Sequence, residues 1–252
     1  MTDQGDAHTD QPSLEGKKIL ITGGTTGIGR AIAVLLASYG ARPYICGRDP
    51  QHLSDALDRI SQVGKGDGIA IDLAEPDNVK RFFDAGIAAL GGIDVAVINA
   101  AIPAEGLTKI SEADLRRAIA IDFTAYLLSA HTAAQALKDH GDIIFIGSMS
   151  AHALSPESSV YAGMKHGIQG FAEAPRKELA PNNIKVALIE PGKTGADFQY
   201  RQYSAEEQAE MIRKEEMLRA EDIAVGVHYI LTQPNRAIVQ QLTIAPREQP
   251  QE

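Results

Sequence analysis

The sequence predicts a doubly wound α/β fold: a parallel sheet of seven strands with helices on both faces. Three observations carry that expectation. Short apolar runs alternate with helical patterns along nearly the whole 252-residue chain. The runs are apolar almost throughout rather than at every second residue, which is the pattern of strands buried on both faces. Each chemically suggestive motif falls just after a strand, where open α/β sheets hold their ligands.

The elements follow in order. Residues 19–21 are a short apolar strand, and glycines follow at Gly23, Gly24, Gly27 and Gly29. Residues 31–37 then read as a helix with a buried side. Strand, glycine turn and helix together make a dinucleotide site. Glycines let backbone approach phosphate without a Cβ in the way, and a helix N-terminus presents N–H groups and partial positive charge to a pyrophosphate. Further strands are expected at 42–46, 68–71, 95–98, 143–146, 184–189 and 238–242. Helices are expected between them at about 50–63, 76–90, 112–138, 160–179 and 220–231. Pro175 falls inside the helix expected from near Ser159 to near Ala180, which should bend between Phe171 and Pro175 and continue to Leu179. No repeat or linker divides the chain. One domain over 14–245 is expected, flanked by polar tails at 1–13 and 246–252.

Bulk properties exclude several function classes. The net charge of −9 argues against nucleic acid or an anionic membrane as partner. The single cysteine, Cys46, excludes an internal disulfide and fits a reducing compartment, so a cytoplasmic location is expected. Cys46 itself reads as a small buried apolar residue. Residues 1–13 have no apolar segment and no Lys or Arg, unlike a signal peptide. No stretch approaches a membrane span, and no His/Cys/Asp/Glu cluster suggests a metal.

Two further motifs carry chemistry. Tyr161 and Lys165 stand four residues apart in a helical stretch, so they share one face. Tyrosine ionises near pH 10 when unperturbed, and a nearby ammonium favours phenolate, which brings proton exchange toward neutral pH. Ser148 lies thirteen residues before Tyr161. The turn Thr22-Gly23-x-x-x-Gly27-Ile28-Gly29, with Ser148 and Tyr161-x-x-x-Lys165, resembles the short-chain dehydrogenase/reductase family in its single-domain branch. The resemblance covers Lys17 to about Thr243.

That resemblance implies a Rossmann-type sheet with strand order 3-2-1-4-5-6-7. It also implies a catalytic set. Ser148 would hydrogen-bond the substrate oxygen, and Tyr161 would exchange its proton. Lys165 would lower the tyrosine pKa and hold the nicotinamide ribose. Asp122 stands where relatives carry an Asn whose main-chain carbonyl joins the lysine to solvent. The cofactor-binding set would be Gly23, Thr25, Thr26, Gly27, Ile28 and Gly29 of the turn, Arg48, Asp72 and Leu73 at the adenosine, Asn99 and Ala100 at the ribose, and Pro191, Gly192 and Thr194 at the carboxamide, with Tyr161 and Lys165. Ile98 and Ala101 depart from the Asn-Asn-Ala-Gly pattern, and Ala196 stands where relatives have Thr. Many NAD-binding relatives are acidic where this chain has Gly47. Gly47 followed by Arg48 favours NADP(H), with NAD(H) also accepted, because a guanidinium suits a 2′-phosphate. On this reading Gly47→Asp would move preference toward NADH.

The implied reaction is hydride transfer between nicotinamide and a small-molecule ketone or secondary alcohol. A ketoreductase for acyl carrier protein would need a basic docking patch, for which Arg201, Arg213, Lys214 and Arg219 are the candidates. A sensor or scaffold that binds NADP without turnover would be marked by loss of Ser, Tyr or Lys, and all three are present. Residues 198–219, with Tyr200, Arg201 and Tyr203, match the segment that closes over substrates in relatives. His152 and Glu157 lie where pocket walls form. His152 reads as an ordinary loop histidine ahead of a substrate-orienting one. Self-association as a dimer or tetramer is implied, with Tyr126, Leu127, Ala130, Ala134, Ile168, Phe171 and Ala172 expected on outer helix faces.

Overall fold

A computed structural model describes residues 11–152, 156–195 and 203–248. The central sheet has seven parallel strands: Lys18–Ile21 (β1), Arg42–Gly47 (β2), Asp67–Ala70 (β3), Val95–Ile98 (β4), Gly141–Ile146 (β5), Ile184–Pro191 (β6) and an edge strand at Gln241–Ile244 (β9). Their order is β3-β2-β1-β4-β5-β6-β9, as the resemblance implies. The order reverses between β1 and β4, which opens a crevice at their carboxyl ends. Two short strands, Thr194–Gly195 (β7) and Leu218–Arg219 (β8), pair beside the main sheet and had no apolar run to announce them.

Side chains alternate along each strand, so the sheet builds two cores. Leu20 faces one, with Phe82, Phe83, Tyr126, Phe145 and Ile168. Ile19 and Ile21 face the other, with Ile32, Leu36, Ile60, Ile223 and Val227. The first core packs under Pro76–Leu90 (α3), Ala125–Leu137 (α5) and Ser159–Leu179 (α6). The second packs under Gly27–Ser38 (α1), Pro50–Ser61 (α2) and Ala220–Leu231 (α8). Helix starts and stops follow local chemistry. Asp49 caps α2 by accepting from the amides of Gln51 and His52, and Pro50 needs no amide partner there. Gly91 ends α3 in the left-handed conformation, at φ 72°.

Four expectations need correction. The helix expected over 112–138 is interrupted: Glu112–Ile119 (α4) and α5 flank a π-helical turn at Ala120–Thr124 that contains Asp122. The last strand lies at Gln241–Ile244 rather than 238–242. It is an edge strand half exposed to water, so apolarity does not mark it, and pairing of Leu188 with Gln241 sets its register. Residues 205–213 form a helix, α7, started by a capping box between Ser204 and Glu207. The proposed outer-face residues mostly point inward. Tyr126, Ala130, Ile168 and Ala172 are buried in the subunit's own core, and Leu127, Ala134 and Phe171 pack against it. Their side chains are apolar because they fill this subunit. Helix α6 runs unbroken past Pro175, itself buried, to Leu179.

Candidate active site

The crevice begins with the turn after β1. Gly23 has φ 64°, which favours glycine, and a Cβ there would meet Ala100 Cα at 2.7 Å. A Cβ on Gly29 would meet the Gly23 carbonyl oxygen at 2.2 Å. The turn is thus drawn tight against the first residues of α1, whose first turn holds no acid. Thr26 sits at the N-cap and makes no side-chain cap bond. The turn is tied to β4 by Asn99, whose Nδ2 donates to the carbonyls of Thr22 and Gly23 at 3.1 Å each. Thr22 Oγ1 accepts in return from the amides of Asn99 (2.9 Å) and Ala100 (3.1 Å). Thr22, unremarked in the sequence reading beyond its place in the motif, is therefore the second half of this clasp.

At the adenosine end, Arg48 is exposed just beyond β2. Asp72 accepts from Arg117 Nη2 at 2.8 Å and from the Ala74 amide at 3.0 Å. Burial opposes ionisation of Asp72, yet bonds from Arg117 and Ala74 and the charges of Arg117 and Arg48 hold its carboxyl below the usual range. Two guanidiniums thus converge on one carboxylate, leaving excess positive charge. Arg117 lies on α4, and only the fold brings it here. Leu73 is buried in the core. Gly47 proves to be a steric necessity: a Cβ there would lie 2.2 Å from Thr25 Oγ1 and 2.9 Å from Thr25 Cβ. The expectation for Gly47→Asp alone is therefore corrected, because Thr25 already occupies the space that an acidic side chain needs. Cys46 beside it is fully buried, and burial pushes its thiol up to about 12.

At the other end of the crevice, β5 runs into Ser148. The Ser148 hydroxyl accepts from the Ser150 amide at 3.1 Å and starts a 3-10 turn at Met149–Ala151. Helix α6 packs against this turn and against the π-helical turn, bringing Tyr161 and Lys165 to the end of β5. Lys165 is buried, with its ammonium 5.6 Å from the Tyr161 ring centre and 4.7 Å from that of Tyr126. It donates to Tyr126 Oη at 3.0 Å and to the Ile146 carbonyl at 3.1 Å. Asp122 is 0% exposed; its Oδ1 accepts from the Ile102 amide at 2.8 Å and its Oδ2 has no hydrogen-bond partner. Burial pushes the Asp122 carboxyl up to about 7, against the pull of Lys165. Burial likewise brings Lys165 down to about 8, against the pull of Asp122. Each group is thus driven toward its neutral form by desolvation and toward its charged form by the other.

Pro191 is buried at the end of β6, and the Gly192 amide donates to the Ile244 carbonyl. Thr194 is fully buried, with its hydroxyl donating to the Gly192 carbonyl at 2.9 Å. Ala196, Phe198, Tyr200 and Arg201 lie outside the described residues. Tyr203 stacks near the Lys193 ammonium, 4.8 Å from its ring centre. His152 does not stand alone in a loop. Its Nε2 lies 3.0 Å from Glu190 Oε2, and Glu190 is completely buried, also receiving Gln241 and Thr243. Glu157 pairs on the surface with Lys109. A groove of about 420 Å³ lies at the opposite end of the sheet, between the end of α6 and the approach to β9. Its cations are engaged: Arg176 with the Val186 and Gln240 carbonyls, Lys177 with Glu173, Lys185 with Asp142. Among the described residues no group of His, Cys, Asp and Glu is placed to hold a metal, and no helix is long and apolar enough to cross a membrane.

Comparison with known proteins agrees with this geometry. The profile of the short chain dehydrogenase family matches residues 17–207. A short chain dehydrogenase of Emericella nidulans is 32% identical over 194 residues, covering 74% of this chain and 72% of the relative. A Burkholderia cenocepacia short chain dehydrogenase, solved in complex with NADP, superposes with a TM-score of 0.83 at 28% identity, covering 93% of this chain and 98% of that one. A short-chain type dehydrogenase/reductase from Mycobacterium marinum gives 0.82 at 30% identity, covering 93% and 96%. The chain belongs to the short-chain dehydrogenase/reductase family of oxidoreductases.

Proposed function

We propose that this protein is an NADP(H)-preferring oxidoreductase that moves a hydride between nicotinamide and a small ketone or secondary alcohol, with Tyr161 as general acid and base. The observation that carries the reading is the placement of Lys165: a buried ammonium beside the Tyr161 ring, at the end of the strand that delivers Ser148. The crevice fits the cofactor. Its glycine turn excludes any Cβ at 23 and 29, and no acid opposes a pyrophosphate at the start of α1.

The turn residues Gly23, Thr25, Thr26, Gly27, Ile28 and Gly29 would hold the pyrophosphate. Arg48 would take the 2′-phosphate, Asp72 and Leu73 the adenine, and Asn99 and Ala100 the ribose between. Pro191, Gly192 and Thr194 would hold the carboxamide, and Tyr161 and Lys165 the nicotinamide ribose. When bound, the cofactor supplies or accepts the hydride. In reduction Tyr161 Oη donates its proton to the carbonyl oxygen, which Ser148 Oγ orients; in oxidation the phenolate removes it. The Lys165 charge stabilises that phenolate, and Asp122 supports the Lys165 charge from behind. The binding of NADP by the Burkholderia cenocepacia relative supports the choice of cofactor.

The acyl-carrier reading finds no support, because its candidate cations are already neutralised. Arg213 and Lys214 pair with Glu210, and Arg219 with Glu221. The reading includes a cytoplasmic location and self-association as a dimer or tetramer. The outward face of α6, where Gly163, Gly170 and Ala174 are exposed, supports close approach of a second copy. A screen of carbonyl compounds with NADPH and NADH, followed at the nicotinamide absorbance, tests the function. Faster turnover and tighter binding with NADPH are expected. Affinity for NADH equal to or better than for NADPH would remove the Arg48 argument, and NADPH binding without turnover of any carbonyl would favour the sensor.

A further inference from the structure

Behind Lys165 lies a tyrosine that the reaction as described does not use. Tyr126 projects from α5 into the core, 1% exposed, with its ring stacked near Phe145 at 6.4 Å. Its hydroxyl donates to the Ile146 carbonyl at 2.9 Å and accepts from Lys165 at 3.0 Å. The Ile146 carbonyl also accepts from Lys165, so the three groups close a triangle that joins α5, the end of β5 and α6. Ile146 is two residues before Ser148, so the triangle references the lysine to the strand that carries the serine.

We propose that Tyr126 is a positioning residue of the active site: its hydroxyl, locked on the Ile146 carbonyl, holds the Lys165 ammonium between the rings of Tyr126 and Tyr161 and helps keep it charged. The proposal rests on the reading of Tyr161 as the proton carrier. Tyr126 cannot take that role. It has no exposed edge, and burial with the nearby Asp122 and Tyr161 drives its own ionisation well above the ordinary value. What it can supply is an acceptor. A buried ammonium with three donors needs partners, and only two protein acceptors are in place, Tyr126 Oη and the Ile146 carbonyl. The ionisable groups facing Lys165 are Asp122 from the π-helical turn, Tyr126 from α5 and Tyr161 from its own helix. Of these, Asp122 acts through charge, and Tyr126 is the one that bonds Lys165 directly.

Tyr126→Phe keeps the ring and removes the acceptor. The ammonium is then less favoured, Tyr161 feels less positive charge, and phenolate forms at higher pH. The expected result is a fall in kcat of about tenfold with the carbonyl KM little changed. The acidic limb of the alcohol-oxidation profile should move to higher pH, and NADPH should bind more weakly. In a Lys165→Ala background the same substitution should add nothing, because its effect passes through the lysine. An unmoved pH limb, or a rate loss that adds to that of Lys165→Ala, would overturn the proposal and leave Tyr126 a packing residue. Should Tyr126→Phe not fold, a crystal structure of the wild-type protein with NADPH decides: Lys165 bonded to Tyr126 Oη supports the proposal, and Lys165 turned away overturns it. Tyr161→Phe, assayed in parallel, separates the two readings. Retained turnover there refutes the role of Tyr161 whatever Tyr126 does, and the NADPH affinity of Tyr126→Phe still reports on Lys165.

Discussion

The exchange Gly47→Asp, the obvious route to a protein that prefers NADH, is expected to fail by itself. The added Cβ would lie 2.2 Å from Thr25 Oγ1, 2.6 Å from Thr25 Cγ2 and 2.9 Å from Thr25 Cβ. Rotating the threonine cannot relieve a contact that includes its own Cβ. Thr25 is only 5% exposed and belongs to the glycine turn, so the turn itself has to shift. Overpacking of this kind costs about 1–3 kcal/mol. At about 1.4 kcal/mol per decade, that is a loss of roughly 5- to 150-fold in affinity if the bound form bears it. The loss falls on NADPH and NADH alike, because the turn serves both. Thr25→Ala leaves the Cβ in place, so the matched partner is Thr25→Gly. The double variant gives the carboxylate room to accept from ribose hydroxyls and to repel a 2′-phosphate. It should favour NADH relative to wild type by at least about tenfold, the size of a charged hydrogen bond. Fluorescence titration of both cofactors at fixed ionic strength, with a melting curve for each variant, measures this. A stable Gly47→Asp variant that exchanges preference cleanly without change at Thr25 would refute the interlock.

The charge state behind the lysine makes a second prediction. The Asp122 carboxyl is raised from an ordinary value of 3.8 to about 7, so the native state keeps a proton that the unfolded chain releases. The stability this gives is full below about pH 4 and is lost as pH rises through about 7, so the wild-type Tm should fall across that window relative to Asp122→Asn. Parallel Tm profiles would contradict it. Pro175, third, removes the amide that would serve the Phe171 carbonyl, at a cost of about 3 kcal/mol in a helix interior. A crystal structure should show the α6 axis bent between Phe171 and Pro175, and a straight helix with that carbonyl bonded within it would be a refutation.

Much of this molecule is legible in the chain, and what is not has a common cause. The glycine turn, Ser148 and the Tyr161–Lys165 pair are local patterns whose chemistry depends on spacing along one element. Central strands such as β4 are announced by apolarity because both their faces are covered. The edge strand β9 is not, since one of its faces meets water and its register comes from its neighbour. Arg117, Tyr126 and Glu190 matter through partners 45, 39 and 38 residues away, and no periodicity encodes such distances. Tyr126 looked suited to an outer face because it is large and apolar, the same property that places it in the core. Gly47 looked like a missing acid, and the fold shows a space that Thr25 already fills.

Substitution of the tyrosine bears most directly on the account. Tyr161→Phe removes the proton donor while leaving the glycine turn, Arg48 and Lys165 in place. Turnover of a carbonyl substrate with NADPH should fall by at least about 10²-fold, the usual size of general acid–base catalysis, while NADPH affinity changes little. Near-normal turnover in that variant would show that another group carries the proton and that the assignment of the site is wrong.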